Sequence, residues 1–342
     1  MFRSIRQPEA GAAASPPVGR GTLILVALAA IAAIALVASL FVGSVALAPR
    51  EVLAVIGGHG DTLARTLVLD LRLPRSLAAF ATGGLLGLAG ALMQVLLRNP
   101  LADPYILGVS GGAAVGALSA LLAGLGTAAA TGSAFGGAFA STLIVFALAH
   151  GRGSWAPTRL LLTGVVVAAG WGAAIGLLLV LSPNATLRTM LFWLMGDLAY
   201  RADWQTPLVV LAVALLFALP CARSLNVLAR GELRARALGV SVRPLTIGLY
   251  VAASLLTAVA VVEAGTIGFV GLIVPHMIRL TGGSDHRLVL PGAALGGGAL
   301  LTLADILARS VAAPRELPVG VVTAALGVPL FLYLLLRSRR LS

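Results

Sequence analysis

The run LAAFATGGLLGLAGALMQVLL, Leu77–Leu97, contains no charged side chain in 21 residues. An α-helix rises about 1.5 Å per residue, so a helix of this length matches the roughly 30 Å hydrocarbon core of a bilayer. Gly83 and Gly87 lie four residues apart within it, a spacing that lets helix backbones approach closely in lipid. The run therefore predicts a transmembrane helix that packs tightly against other helices.

Nine further apolar runs flank this one along the chain. The ten predicted spans are residues 23–48, 77–97, 105–127, 134–149, 160–181, 207–221, 245–262, 269–281, 288–308 and 318–336. The chain is 59% hydrophobic and only 11% charged, whereas soluble domains carry about 25% charged residues. We predict an all-α, polytopic integral membrane protein with about ten transmembrane helices. Residues 1–20 are predicted to form a cytoplasmic tail, and residues 21–342 a single transmembrane domain.

One of the ten spans, the run 269–281, is predicted to be short or broken. Gly265, Gly268 and Gly271 lie at or before its start, and Pro275 lies inside it. Proline removes a helix hydrogen bond, and irregular backbone is tolerated at membrane depth only where protein or a cavity surrounds it. We therefore predict that these four residues mark a helix break beside a translocation path.

All 24 basic residues are arginine. Because a Walker A loop needs a lysine on the phosphates, the chain has no standard ATP-binding loop. If the amino terminus is inside, 16 arginines fall on the cytoplasmic side and 8 outside. The positive-inside rule then predicts that both termini are cytoplasmic, although the outer arginines need a separate explanation.

The chemistry-bearing residues do not predict an enzyme. The four histidines lack the spacing of a zinc site, and the single cysteine, Cys221, excludes an internal disulfide. We therefore expect no metal site and no cofactor on this chain. Two carboxylates, Glu263 and Asp305, fall within or near the spans, where ionisable groups are functional candidates.

Two interpretations of these carboxylates remain open. Arg309 follows Asp305 by one helical turn, which favours a structural ion pair. Alternatively, the protein is an ion-coupled secondary transporter, with Glu263 or Asp305 as the coupling group.

The segment RSLNVLARGELRARALGVSVR, residues 223–243, is too polar to span the membrane and carries five arginines. Its leucines, among them Leu225 and Leu228, suit short amphipathic helices interrupted near Gly231 and Gly239. The arginine count places the segment on the cytoplasmic side. It is predicted to be either a solvated interfacial helix or a docking element for a cytoplasmic partner.

Long stretches of the chain carry a family pattern in order. They are RLPRSLAAFATGGLLGLAGALMQVLLRNPLADPYILGVSGGAAVGA, FWLMGDL, GTIGFVGLIVPHMIRLTGGSDHRLVLPGAALGGG, ADILAR and ELPVGVVTAALGVPLFLYLL. They resemble the iron-chelate and cobalamin (FecCD-type) family of ABC importer permeases. The resemblance implies a ten-span permease of the bacterial inner membrane that has no ATPase site of its own. The cargo expected from it is a ferric siderophore, with haem and cobalamin as alternatives.

The resemblance also implies partners and contact residues. The partners are a second permease copy in a homodimer, two cytoplasmic subunits that use ATP and Mg²⁺, and a periplasmic substrate-binding protein. Expected coupling contacts with the ATPase are Leu225, Leu228, Gly231, Glu232, Arg234, Ala237, Leu238 and Gly239. Expected docking contacts with the binding protein are Arg72, Arg75 and Arg309. Arg72 and Arg75 are expected to emerge at the outer membrane surface, which would explain part of the outer arginine excess.

Overall fold

The structure is a computed structural model that describes residues 18–149, 157–199 and 203–338. Within these ranges the secondary structure is helical throughout, without strands. The α-helices are α1 Val18–Phe41, α2 Pro49–Ile56, α3 Thr62–Arg65, α4 Leu73–Leu96, α5 Val109–Leu122, α6 Gly126–Ala149, α7 Pro157–Leu181, α8 Asn184–Met195, α9 Gln205–Ala218, α10 Ala222–Leu228, α11 Glu232–Ala237, α12 Val242–Ala264, α13 Val270–Gly282, α14 His286–Ser310 and α15 Val319–Ser338. A π-helical segment, Thr66–Arg72, leads into α4, and a 3₁₀ turn, Pro104–Leu107, precedes α5.

The ten predicted spans coincide with ten of these helices: α1, α4, α5, α6, α7, α9, α12, α13, α14 and α15. In the described residues, six segments are long and apolar enough to cross a membrane alone, and α9 with α10 forms a seventh that is bent by 70°. α5, α13 and α15 are shorter apolar helices. α5 and α13 are short because each begins only after non-helical or 3₁₀ backbone. The fold is therefore all-α, with about ten membrane segments. Two of these segments, those of α5 and α13, begin with backbone that is not α-helical.

Helix α4 lies at the centre of the fold, with almost its whole length buried against α14, α12 and α13. Its glycines explain how α14 comes so close. A Cβ added at Gly83 would lie 2.2 Å from the Gly297 carbonyl oxygen, and one at Gly87 would lie 2.2 Å from that of Ala293. Real Cβ atoms do not approach carbonyls so closely, and the predicted glycine spacing thus serves direct backbone contact between helices.

The periphery is apolar and open. Only 6% of the span in α7 and 17% of that in α1 is buried inside the subunit. Apolar side chains with this exposure need lipid or another protein around them. The exposed faces of α7 and α1 are therefore surfaces that lipid or another protein must cover.

The structure differs from the sequence prediction at the amino terminus and in the connections between the long helices. Helix α1 begins at Val18, so the end of the expected tail, residues 1–20, falls inside a helix. The rest of that tail, as well as the loop arginines Arg152 and Arg201, lies outside the described residues. Short helices α2, α3 and α8 occupy stretches for which the sequence predicted no element.

Candidate functional site

The segment between α9 and α12 folds as two short helices, α10 and α11, which we call the platform (residues 222–239). The first ends before Gly231, which has φ 121°, and the second before Gly239, which has φ 77°. Glycine adopts positive φ without the steric cost that other residues meet. The prediction of short helices interrupted near these two glycines is therefore confirmed.

The inner side of the platform is fixed to the membrane helices. Leu225 and Leu228 are buried in the main core. Between them, the Asn226 side-chain amide donates to Asp285 Oδ1 at 2.9 Å, and its oxygen accepts the backbone N–H of His286 at 2.9 Å. Because Asp285 also caps α14, one asparagine joins the platform to the start of that helix.

The side of the platform that faces away from the helix bundle is uncovered and carries both leucines and arginines. The side chains of Leu233 and Leu238 are 85% and 70% exposed, and Arg234, Ala237 and Gly239 are also exposed. Exposed leucines on a polar loop are typical of a contact surface. Four of the eight residues expected to contact an ATPase are thus exposed, whereas Leu225 and Leu228 are buried and serve as anchors.

Glu232 stiffens this surface. Its carboxylate pairs with Arg236 at 2.6 Å in the same helix and with Arg98 at 3.2 Å in the loop after α4. The hydrogen bond from Arg236, supported by the charge of Arg98, holds the pKa of Glu232 below its usual range. The carboxylate is therefore ionised at neutral pH and ties α11 to the end of the central helix.

The predicted helix break is present. α12 ends at Ala264, residues 265–269 are non-helical, and α13 resumes at Val270 with Pro275 inside it. Gly271 lies against the carbonyl of Leu86, near the middle of α4, so the break is deep within the helix bundle. The expectation of a short or broken span at this place is confirmed.

Two of the break glycines make close contacts and one does not. A Cβ at Gly265 would lie 2.2 Å from the Trp193 carbonyl oxygen, and one at Gly271 would lie 2.8 Å from that of Leu86. A Cβ at Gly268 would have nothing within 4 Å. Gly268 therefore lies in the non-helical part of the break, as predicted, but beside open space.

Polar groups of the break are matched by neighbours from three elements. The Tyr105 hydroxyl oxygen accepts the backbone N–H of Ile267 at 2.9 Å, and the Thr266 hydroxyl donates to the Leu194 carbonyl. The backbone N–H of Asp197 donates to the Ala264 carbonyl at 2.9 Å. Unpaired backbone groups are costly in a membrane interior, and these bonds explain how the break is tolerated.

A largely buried ion cluster lies at the start of α4, the end of this helix that is remote from the platform. Arg75 holds Asp305 Oδ1 through Nη2 at 2.9 Å and Nε at 3.0 Å, and holds Glu316 Oε2 through Nη1 at 2.7 Å. Arg309 pairs with Asp305 Oδ2 at 3.0 Å. The predicted Asp305–Arg309 ion pair is thus present, and it belongs to a four-membered cluster that joins α4, α14 and the 311–318 loop.

The arginines expected to emerge outside are instead engaged by this chain. Of the two arginines expected to emerge, Arg72 is 5% exposed and the Arg75 side chain is 12% exposed. Arg309, the third expected docking contact, is 3% exposed. Arg72 donates to the carbonyls of Leu40, at 2.7 Å, and Val45, which pins the connection after α1. The expectation that Arg72 emerges at the surface is wrong, because the end of α1 folds over its guanidinium.

These side chains nevertheless surround an open cleft of about 470 Å³. Arg72, Arg75, Arg309 and Glu316 line it together with Asp70 and Ala199. The three arginines that the family resemblance singled out therefore converge on one concavity, although only small parts of them reach its surface.

Comparisons with known proteins identify the family of the chain. A model of the FecCD transport family matches residues 31–337. The chain belongs to that family. It is 46% identical over 281 residues to the hemin transport system permease protein HmuU of Yersinia pestis, covering 79% of this chain and 83% of HmuU. It is 40% identical over 319 residues to the vitamin B12 import system permease protein BtuC of Citrobacter koseri, covering 92% and 94%.

A solved structure supports the same assignment. An inward-facing metal-chelate type ABC transporter superposes with a TM-score of 0.83 at 31% identity, covering 92% of this chain and 99% of the other. This FecCD chain is accordingly a multi-pass permease with the fold of an ABC transporter membrane subunit.

The remaining carboxylate, Glu263, and the histidine His286 lie outside the ion cluster of the FecCD subunit. Glu263 is buried in the last turn of α12, beside the break. His286 Nδ1 lies 2.6 Å from Asn226 Oδ1. Among the described residues, no three His, Cys, Asp or Glu side chains converge as a metal centre. The polar loop before α14 therefore caps a helix and anchors the platform.

Proposed function

We propose that this FecCD chain is the membrane-spanning subunit of an ATP-driven importer for metal chelates. One observation carries the proposal: an exposed apolar surface, Leu233 and Leu238, sits on a platform fixed to the helix bundle through Asn226. Such a surface suits a cytoplasmic ATPase, because short helices tied to long ones can convert closure of a partner into tilting of the bundle.

The proposed division of labour follows from the sequence. The chain contains no lysine, so ATP and Mg²⁺ would be bound by two separate ATPase subunits and this chain would contribute no cofactor site. A second copy would complete the translocation path, which makes a homodimer the expected assembly. Residues 21–342 would form one permease domain of a bacterial inner-membrane protein, with both termini cytoplasmic.

The substrate class that we propose is a metal ion already bound by a chelator. The ferric siderophore expected from the sequence stays a prediction, and haem is the first alternative to test because HmuU, at 46% identity, is named for hemin transport. Cobalamin is a further alternative, since BtuC is named for vitamin B12 import. A permease for such a cargo needs a path that binds weakly, because a tight site would trap the chelate.

Uptake into proteoliposomes tests the proposal. The permease would be reconstituted with its ATPase subunits, and its binding protein would be loaded in turn with ferric siderophore, haem and cobalamin. We expect uptake that requires both ATP and the binding protein. Uptake driven by a proton or sodium gradient without ATPase subunits would instead establish the secondary transporter with Glu263 or Asp305 as coupling group. The ion pairs of Asp305 with two arginines already disfavour that role for Asp305.

The platform makes a separate prediction. Replacing Leu233 and Leu238 together by glutamate should weaken ATPase binding at least about tenfold, because apolar anchors dominate contact surfaces. Both side chains are exposed, so the permease itself should lose no more than about 0.5 kcal/mol per site. Leu63→Glu, at an exposed leucine of α3 predicted to lie on the opposite side of the membrane, is the matched control. Binding measured on purified subunits in nanodiscs should fall for the double variant only. Unchanged binding would exclude this surface as the docking site.

A further inference from the structure

The guanidinium of Arg75 has two edges with different surroundings. One edge, Nε and Nη2, faces Asp305, whose side chain is 1% exposed. The other edge, Nη1, faces Glu316, whose side chain is 30% exposed. An arginine guanidinium offers five N–H donors in a fixed plane, so the two carboxylates occupy separate parts of the same group.

The two carboxylates also differ in how easily they can leave. Asp305 is enclosed and shared with Arg309 at 3.0 Å. Glu316 lies in the 311–318 loop at the margin of the open cleft. The backbone N–H of its neighbour Leu317 donates to the Ala308 carbonyl at 3.0 Å, so this part of the loop is fixed. Rotation of the Glu316 side chain alone can therefore vacate Nη1 without moving the backbone.

Charge in the cleft is balanced. The positive side chains in and beside the cleft, Arg72, Arg75 and Arg309, are matched by three acidic ones, Asp70, Asp305 and Glu316. An incoming acidic group therefore meets no excess positive charge. A partner carboxylate can form a close contact at Nη1 only after Glu316 has turned away.

We propose that Glu316 is an internal stand-in for a carboxylate of the soluble binding protein, and that docking exchanges one carboxylate for the other on Arg75 Nη1. This inference rests on the proposed function and specifies which residue the docking step displaces. Glu316 thereby limits affinity for the binding protein, so that the partner can be released after it has delivered its cargo. The occupant is a protein of stated chemistry, a periplasmic protein with an Asp or Glu on its docking rim.

Three variants separate exchange from general electrostatics. Glu316→Gln removes the competing charge. Glu316→Asp keeps the charge but shortens the side chain, which weakens the 2.7 Å contact. Asp70→Asn removes an equal charge from the same cleft, at a position for which the described residues form no ion pair. Long-range steering depends on charge alone, whereas exchange depends on the Arg75 contact.

The measurement is the affinity of the purified cognate binding protein for the complete importer in nanodiscs, at low salt and at about 1 M salt, where the Debye length is roughly 3 Å. At low salt we expect Glu316→Gln to bind about three- to fivefold more tightly and Glu316→Asp roughly twofold more tightly, in line with the loss of a partly exposed ion pair. Part of each gain should remain at high salt, because salt screens a contact that is mostly buried only incompletely. Asp70→Asn should change only the association rate, and only at low salt.

Other outcomes overturn the exchange. Equal effects of Glu316→Gln and Asp70→Asn that vanish in high salt would leave electrostatic steering as the cause. Weaker binding of Glu316→Gln would show that Glu316 contacts the partner directly. Failure of the binding protein to bind the wild-type importer would overturn the proposed function together with this inference.

Discussion

Replacing Asp305 by alanine is expected to lower the free energy of unfolding by about 3–5 kcal/mol, the range measured when one member of a buried ion pair is removed. The carboxylate lies between Arg75 and Arg309, so its loss would leave a buried guanidinium without its counter-ion. The expected result is a large fall in the denaturation midpoint of the purified subunit in detergent.

Two control variants test whether the unpaired buried charge is the cause of the lost stability. Glu316→Ala removes the half-exposed member of the same cluster and should cost about 1 kcal/mol or less. Joint replacement of Arg75, Asp305 and Arg309 by leucine should recover much of the loss, because the only cluster charge that remains, on Glu316, is partly exposed to solvent. If Asp305→Ala costs no more than Glu316→Ala, the cluster is not a stabilising element of the subunit.

Gly265→Ala should have the second large effect. Gly265 has φ 68° and ψ −159°, a region that is almost confined to glycine. Its Cβ would also lie 2.2 Å from the Trp193 carbonyl oxygen. Backbone strain costs about 1–3 kcal/mol, and overpacking costs about as much again. We expect little assembled permease, measured as the monodisperse yield after extraction, and a lowered denaturation midpoint.

Gly268→Ala is the matched control, three residues away in the same break. Its Cβ would enter open space, and we expect stability within about 1 kcal/mol of wild type. Equal damage by the two substitutions would mean that the break is sensitive to any side chain and that the contact with Trp193 is not the cause.

The helices and the break could be predicted from the sequence because their signals are local. A long apolar run without charge has few alternatives to a membrane helix, and a cluster of glycines favours a break in a helix. The short helices α2, α3 and α8 were missed because each is too short to produce an apolar run of membrane length. The same reasoning located the ends of α10 and α11 at Gly231 and Gly239.

The side-chain environments could not be predicted in the same way. Arg72 lies near a helix end, and from sequence alone its side chain could point outward or under the end of α1, as it does. Glu316 was missed as a cluster member because it is 241 residues from Arg75 in the chain. The open space beside Gly268 could not be predicted either, because the neighbours of a glycine depend on which helices the fold brings beside it.

The bond network at Asn226 has a mechanical consequence. It grips the first residue of α14, and the same helix carries Asp305 and Arg309 in its last turns. At 25 residues and about 1.5 Å per residue, α14 is a strut of roughly 37 Å with one end at the platform and the other in the cleft. A tilt imposed at its lower end must swing the acid that grips Arg75 at its upper end. In the proposed importer, α14 would therefore carry a movement of the platform to the cleft at its other end.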